Sequence, residues 1–182
     1  DSPHPRTDAA ESDINALAVG DLDGDAVPEL IVAVGPWKAY ELRVFRAGAR
    51  GGLDLVARRT LGSVPSLALV RADGRVQLAA VKRDEYASAL RFPAGRHFGP
   101  PAGLYLFELV NDALDDRAFF PARPGEEWLL VEAADLDGDA RDEVVVTGLD
   151  DLVVFPRGPD GLLDPLRIAG GPPLLVGDLD GD

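Results

Sequence analysis

The sequence predicts an all-β protein built from four-stranded antiparallel sheets. Its apolar segments are short, several alternate apolar with polar residues, and turns rich in Gly, Pro and Asp separate them. None of these segments shows the 3.6-residue periodicity of an amphipathic helix. In addition, one group of strands and turns recurs along the chain, with an acidic loop at the same strand junction in the best-preserved copies.

The first copy of this group contains four predicted strands, within residues 13–62. Residues 14–19 and 29–34 flank the acidic loop, and the continuous apolar run of the second strand is typical of a strand covered on both faces. Residues 41–46 then alternate polar and apolar side chains, and residues 53–61 follow a glycine-rich turn. Four short strands with turns between them predict one antiparallel sheet.

A second copy, residues 63–125, is degenerate, because its loop is shorter and has lost most of its acids. Arg71 stands where the other copies have Asp21 and Asp135, and we expect a plain hairpin without a metal there. A Pro- and Gly-rich insertion spans residues 91–103. Residues 66–74 align with residues 16–24 of the first copy, and the strands predicted to follow them are residues 76–81, 104–110 and 118–120.

The third copy, residues 126–170, repeats the order of the first closely. Its predicted strands are residues 128–134, 143–147, 151–155 and 162–168. A fourth copy starts within residues 171–182. All-β repeats of about 40–60 residues predict β-propeller blades, here about three blades plus the first strand of a fourth, a partial propeller. Such a chain cannot close a ring, so we expect it to belong to a longer polypeptide or to have its open edges covered by other chains.

The acidic loops recur with the same spacing and predict calcium binding. In the first loop, residues 21–29, carboxylates occupy positions one, three, five and nine, and position seven offers a backbone carbonyl: Asp21, Asp23, Asp25, Glu29 and Val27. The second loop, residues 135–143, offers the same set: Asp135, Asp137, Asp139, Glu143 and Arg141. The third loop is truncated and contains Asp178, Asp180 and Asp182. Alternate side chains of a tight loop point inward, and Ca²⁺ takes six to eight oxygen ligands.

An acidic loop between strands does not by itself require calcium. A solvated acidic hairpin needs no ion, since Asp and Gly are ordinary turn residues, but the repetition at one junction argues against it. An EF-hand requires flanking helices, whereas strands flank these loops. Oxygen ligands without His or Cys argue against zinc and copper, and magnesium stays an alternative that prefers more waters.

The run Val-Gly-Asp-Leu-Asp-Gly-Asp of residues 19–25, with Pro-Glu-Leu-Ile-Val at residues 28–32, resembles the FG-GAP/VCBS repeat of integrin-α-like β-propellers. The resemblance covers about residues 13–182 and is strongest in the first and third copies. It implies calcium in the loop between the first two strands of a blade, and about seven blades in the ring. Two positions depart from the family: the last ligand is Glu, and Ala26 and Ala140 stand where Gly is usual. Since Ala tolerates positive φ poorly, we expect a lower affinity if the loop needs that geometry.

Composition narrows the function further. The formal charge of −14 disfavours a nucleic-acid partner, and no apolar run is long enough for a membrane span. Residues 1–12 are polar and are predicted to be a flexible N-terminal segment without a signal-peptide core. The chain contains no Met, so we expect a processed or excerpted chain, and no Cys, so thiolate sites are excluded.

These observations predict a non-enzymatic, calcium-stabilised propeller segment of a secreted, cell-surface or periplasmic protein that recognises a protein or a glycan. The basic, aromatic insertion around His97 is a candidate contact for such a partner. Two alternatives stay open: an accessory domain of an extracellular enzyme of the polysaccharide lyase or phospholipase type, and a structural subunit of a larger envelope complex. The sequence contains no catalytic constellation, although the full-length protein is left open on this point.

Overall fold

The computed structural model describes residues 14–35, 41–83 and 100–169, and within these ranges it contains fourteen strands and no helix. Twelve of the strands form three four-stranded antiparallel sheets, here called sheets 1, 2 and 3, and the other two form a small hairpin. The prediction of an all-β fold with four-stranded antiparallel sheets is therefore confirmed.

Sheet 1 is a meander in which each strand pairs with the next along the chain. Its strands are β1 (Ile14–Gly20), β2 (Glu29–Val34), β3 (Glu41–Ala47) and β4 (Leu53–Thr60). The register places Gly20 opposite Glu29, so the acidic loop is the connection that closes the first hairpin. β2 is central and almost fully buried, as its unbroken apolar run predicts.

Sheet 2 has the same order, with strands β5 (Ser66–Ala72), β6 (Arg75–Lys82), β7 (Gly103–Val110) and β8 (Ala113–Pro121). Asp73 and Gly74 alone connect β5 to β6, with φ values of 51° and 75°. Positive φ at both central residues is the type I′ geometry that tight hairpins prefer, and Asp-Gly suits it. The predicted hairpin is confirmed. β8 is longer than the predicted strand over residues 118–120 and includes Asp115 and Asp116.

Sheet 3 consists of β9 (Trp128–Ala134), β10 (Glu143–Gly148), β11 (Asp151–Phe155) and β14 (Leu166–Ala169), and a small hairpin of β12 (Arg157–Gly158) and β13 (Gly161–Leu162) precedes its last strand. The prediction of a single strand over residues 162–168 is therefore wrong. Pro165 lacks the N–H that a ladder requires and disfavours a regular continuation, so only β14 pairs with β11.

The sheets stack in sequence order, and both junctions join the same two opposite faces of the sheets. We call the side of a sheet toward the following sheet its forward face and the opposite side its backward face. The forward face of sheet 1 packs on the backward face of sheet 2 around Leu42, Val44 and Phe107. The forward face of sheet 2 packs on the backward face of sheet 3 around Trp128 and Phe155. The first strands β1, β5 and β9 are neighbours in this stack.

Two faces of the stack are apolar but uncovered. Leu17 and Val19 on the backward face of sheet 1 are 61% and 60% exposed, and Leu166 and Ile168 on the forward face of sheet 3 are 61% and 57% exposed. Each of these faces corresponds to one that is buried at a sheet junction elsewhere in the chain.

Several predictions fall on residues that the structure does not describe. They are the N-terminal segment 1–12, the greater part of the insertion 91–103 with His97, and the start of the fourth copy at residues 171–182. Within the described ranges, no helix is long and apolar enough to cross a membrane.

Candidate metal sites

The two complete acidic loops occupy equivalent places in sheets 1 and 3, each between the first and second strand. In each loop three carboxylates converge, with one oxygen from every residue within 4.8 Å of the others. The first cluster is Asp21, Asp23 and Glu29, and the second is Asp135, Asp137 and Glu143. Positions one, three and nine of the predicted ligand set are thus brought together in both loops.

The carboxylate at position one organises the backbone of the first loop. Asp21 Oδ1 accepts hydrogen bonds from the amides of Gly24 and Asp25 at 2.7 and 3.1 Å, and its Oδ2 accepts one from Ala26 at 2.8 Å. Asp23 Oδ1 accepts a further bond from Asp25 at 3.2 Å. These bonds wrap the chain around one centre and leave the remaining lone pairs of the acids available to a cation.

The second loop repeats this pattern bond for bond. Asp135 accepts from the amides of Gly138, Asp139 and Ala140 at 2.8, 3.1 and 2.8 Å. Asp137 accepts from Asp139 at 3.2 Å. Equal geometry in two loops more than a hundred residues apart follows from their equal Asp-Leu-Asp-Gly-Asp-Ala sequence. Local side-chain to backbone bonding is sufficient to define the loop shape.

The glutamate at position nine bonds back to the backbone amide at position two of each loop. Glu29 is fully buried and its Oε2 accepts the amide of Leu22 at 2.9 Å, while Glu143 is 5% exposed and accepts the amide of Leu136 at 2.8 Å. A buried carboxylate is costly unless it is hydrogen-bonded or paired. Glu at this position therefore fits the loop, although the FG-GAP/VCBS resemblance would lead one to expect Asp.

Position six of each loop has a positive φ, the geometry that we expected to be unfavourable for Ala. Ala26 and Ala140 have φ of 66° and 67°, the left-handed region that an L residue with a Cβ adopts at a cost. Both loops thus keep the conformation for which glycine is best suited, and both carry the strain of alanine there.

The acids at position five are not members of the clusters. Asp25 and Asp139 at position five use Oδ1 to accept the amides of Val27 and Arg141, at 2.8 and 2.9 Å. Asp178, Asp180 and Asp182 of the truncated third loop lie outside the described residues.

The arginines around the two loops differ, and sequence reasoning missed them. In sheet 1, Arg46 donates from Nε to Glu29 at 2.9 Å and pairs through its other nitrogens with Asp23 and, at 3.5 Å, with Asp112 of the β7–β8 turn. Its bond to Glu29, opposed by partial burial and supported by these charges, raises the pKa of Arg46. The register of β2 and β3 accounts for this contact, because Leu30 pairs with Phe45 and Arg46 therefore lies opposite Glu29.

In sheet 3 the position equivalent to Arg46 is Pro156, and one arginine, Arg141, lies in the loop itself. Arg141 pairs with Asp139 and so lowers the pKa of that carboxyl group, although Asp139 is not a member of the cluster. Arg157 is buried and donates to the carbonyl of Asp142 at 2.8 Å. Among the described residues, no arginine pairs with a member of the second cluster.

Arg71, the residue that replaces the first acid in the degenerate copy, joins sheet 2 to the second loop. Its guanidinium donates to the Asp142 carboxylate at 2.9 and 3.2 Å, and its backbone amide donates to Asp142 Oδ2 at 2.7 Å. The backbone amide of Asp142 donates in turn to the carbonyl of Arg71 at 2.9 Å. Asp142 is only 2% exposed. The sequence indicated the positive charge but not its partner, which is 71 positions away.

Each cluster offers hard oxygen ligands on a backbone already shaped around a centre, which suits Ca²⁺ or Mg²⁺ better than a softer metal. No protein-family model matches the chain, and a search of curated protein sequences found no match. The likeness to FG-GAP/VCBS repeats therefore rests on the residues of the loops and their flanking strands.

Proposed function

We propose that this protein binds Ca²⁺ at both acidic loops and that the ions stabilise the strand junctions of sheets 1 and 3. The observation that carries the proposal is the equal convergence of three carboxylates at equivalent places in two sheets. Without a cation these carboxylates repel one another, so occupancy favours the folded loop. Loops formed by alternating acids, with a further carboxylate and a carbonyl at hand, offer more ligands than Mg²⁺ usually takes from a protein.

Thermal unfolding in Ca²⁺ and in a chelator tests this proposal. At ten times the dissociation constant each site adds about 1.4 kcal/mol, so two sites raise Tm by roughly 5–10 °C. The double variant Asp23→Asn/Asp137→Asn should lose this rise. A matched control, Asp115→Asn/Asp150→Asn, removes two exposed carboxylates outside the loops and should keep it. An unchanged midpoint in the wild-type protein, or an equal response to Mg²⁺, would contradict the proposal.

We further propose that the three sheets are blades of a β-propeller with additional sheets of the same kind. The support is the repeated packing of a forward face on a backward face, with β1, β5 and β9 adjacent. The two uncovered apolar faces are then the places where further blades pack. Water-exposed Leu, Val and Ile in contiguous groups are unusual on a face that has no partner.

The role we propose for this assembly is recognition of a protein or a glycan outside the cytoplasm, where millimolar Ca²⁺ fills sites of the expected affinity of about 10⁻⁴–10⁻³ M. A cleft of about 970 Å³ adjoins the first loop and the β5–β6 and β7–β8 turns. Five acids and three arginines line it, a net charge of −2 that one Ca²⁺ in the loop would cancel. Calcium would thus fix both the shape and the charge of this surface.

A screen of immobilised glycans and candidate proteins tests the recognition role. Binding should require Ca²⁺ and should be lost on Arg75→Glu, since Arg75 lines the cleft and is mostly exposed. The charge-matched control is Arg58→Glu on β4, outside the cleft. Binding that persists in a chelator, or that both variants weaken equally, would exclude this cleft as the recognition surface.

A further inference from the structure

The two loops have nearly the same sequence and backbone, but different positive charges surround them. In the first, one guanidinium is bonded to two of the three cluster carboxylates, Asp23 and Glu29. In the second, Arg141 pairs with Asp139, a residue outside the cluster, and the guanidinium of Arg157 is directed to a backbone carbonyl. Within the described ranges, the second cluster therefore has three carboxylates without a bonded arginine.

We propose that Arg46 acts as a built-in counter-cation of the first loop, so that the two sites are unequal: the second loop binds Ca²⁺ first and more tightly, and the first binds it only in competition with Arg46. This inference rests on the proposed calcium function and specifies how one of its sites is regulated. A Ca²⁺ ion that enters the first loop meets a positive charge on the same carboxylates, and like charges at such separations repel.

The burial of Glu29 explains why the first loop would keep such an arginine. Glu29 is fully buried, so its charge needs a partner when no ion is present, and Arg46 Nε supplies one at 2.9 Å. The metal-free first loop is thus already neutralised in part, and it should hold its shape without Ca²⁺. At the second loop Pro156 occupies the equivalent position, so none of the described arginines is bonded to the cluster there. The charges of Arg71, Arg141 and Arg157 act on this cluster only from a distance.

The competition also links the first site to the neighbouring sheet. Arg46 Nη1 lies 3.5 Å from Oδ1 of Asp112, which belongs to the β7–β8 turn of sheet 2. A guanidinium displaced from Asp23 and Glu29 still has this carboxylate within reach. Filling the first loop would then shift Arg46 from its own sheet toward sheet 2, so occupancy at high Ca²⁺ would tighten the contact between these sheets beside the cleft.

Calorimetric titration with Ca²⁺ of single-site variants tests the inference. Asp137→Asn disables the second loop and isolates the first, and Asp23→Asn disables the first and isolates the second; both residues are in the exposed part of their loops. We expect the isolated second loop to bind at least about tenfold more tightly. Adding Arg46→Gln should tighten the isolated first loop by about tenfold and should change the isolated second loop by less than twofold. Arg58→Gln, with the same loss of charge on exposed β4, controls for net charge.

A second readout does not depend on affinity. In a chelator Arg46→Gln should lower Tm by several degrees, because Glu29 loses its cation, and saturating Ca²⁺ should remove most of that loss. Equal affinities of the two loops with no effect of Arg46→Gln would overturn this inference and leave the calcium function standing. The absence of Ca²⁺ binding at millimolar concentration in the wild-type protein would overturn both.

Discussion

At the scale of single residues, the most strained positions of the two acidic loops are the alanines at the sixth place. Their φ of 66° and 67° places Cβ against the backbone, a cost of roughly 1–2 kcal/mol. The amides of these alanines donate to Asp21 and Asp135, and these bonds hold the strained conformation in place. The acidic side chains thus define the loop before any ion binds, and the alanine opposes them.

Replacing either alanine by glycine should therefore stabilise the protein. For Ala140→Gly the relief of strain exceeds the ~0.4–1 kcal/mol lost to the greater freedom of the unfolded chain, so we expect a net gain of about 0.5–1 kcal/mol. Urea unfolding in a chelator measures it. The control is Ala113→Gly on the exposed start of β8, where glycine should cost about 0.5–1 kcal/mol. A loss of stability in Ala140→Gly would show that the loop does not bear this strain.

A second residue-scale prediction concerns alkaline pH. Burial, reinforced by the charge of Asp116 and opposed by Arg59, raises the pKa of Tyr105 to about 12, and its hydroxyl donates to the carbonyl of Pro101 at 2.6 Å. In the unfolded chain the value is about 10. The contribution to stability is therefore complete below pH 10 and is lost as the pH rises toward 12, a decrease of about 2 kcal/mol.

The free energy of unfolding, measured by urea titration between pH 9 and 12, checks this expectation. Tyr105→Phe should be less stable at pH 9, because it lacks the bond to Pro101, and should show a shallower decline above pH 10. Identical slopes in the two proteins would mean that Tyr105 ionises as easily in the folded state as in the unfolded one.

At the scale of elements, the sequence predicted strands well where local pattern alone determines them. β2, β9 and β11 have the predicted bounds because an apolar run begins after an acidic loop or a turn and ends at a glycine, at a proline or, for β9, at the second acidic loop. The prediction failed where pairing partners decide. β8 continues through Asp115 and Asp116 because β7 offers a full-length partner, and β14 is short because Pro165 interrupts the ladder.

The same distinction separates what was predictable about the candidate sites. The acids at positions one, three and nine converge through bonds within nine residues, so spacing alone indicated them. The arginines act across strands and sheets: Arg46 reaches Glu29 through the β2–β3 register, and Arg71 reaches Asp142 across a sheet junction. Contacts of this range depend on how the sheets pair and stack, which local patterns do not encode.

A prediction at the element scale follows from the contact between β5 and the loop before β10. Arg71→Ala removes the guanidinium from the buried carboxylate of Asp142, which keeps only its bond from the backbone amide of residue 71. The change should cost about 1–2 kcal/mol of stability, a modest value because the guanidinium is largely exposed. Arg75→Ala, on the same hairpin and 3.8 Å from Glu108, should cost less than about 0.5 kcal/mol. Chemical denaturation measures the free energy of unfolding of both variants. Equal losses would show that only the removed charge affects stability, whereas a larger loss in Arg71→Ala would show that its contact with Asp142 does.

At the scale of the whole molecule, the position of a sheet in the stack decides the burial of residues that are equivalent in sequence. Leu22 and Leu136 both stand second in an acidic loop, yet Leu22 is 4% exposed and Leu136 is 52% exposed. Leu22 lies in the core between sheets 1 and 2, whereas Leu136 lies at the forward face of sheet 3, where the described residues supply no further sheet. The loop sequence is the same in sheets 1 and 3, but the surroundings of the equivalent leucines differ.

Alanine at these two leucines measures the stacking directly. Leu22→Ala should cost about 2–4 kcal/mol, because it leaves a cavity in a packed junction, and Leu136→Ala should cost less than about 0.5 kcal/mol in the 182-residue chain. The proposed propeller adds a condition: in a form of the protein with a further sheet after residue 169, the cost of Leu136→Ala should rise toward that of Leu22→Ala. Equal costs already in this chain would mean that its forward face is covered, and a low cost in every longer form would remove the propeller.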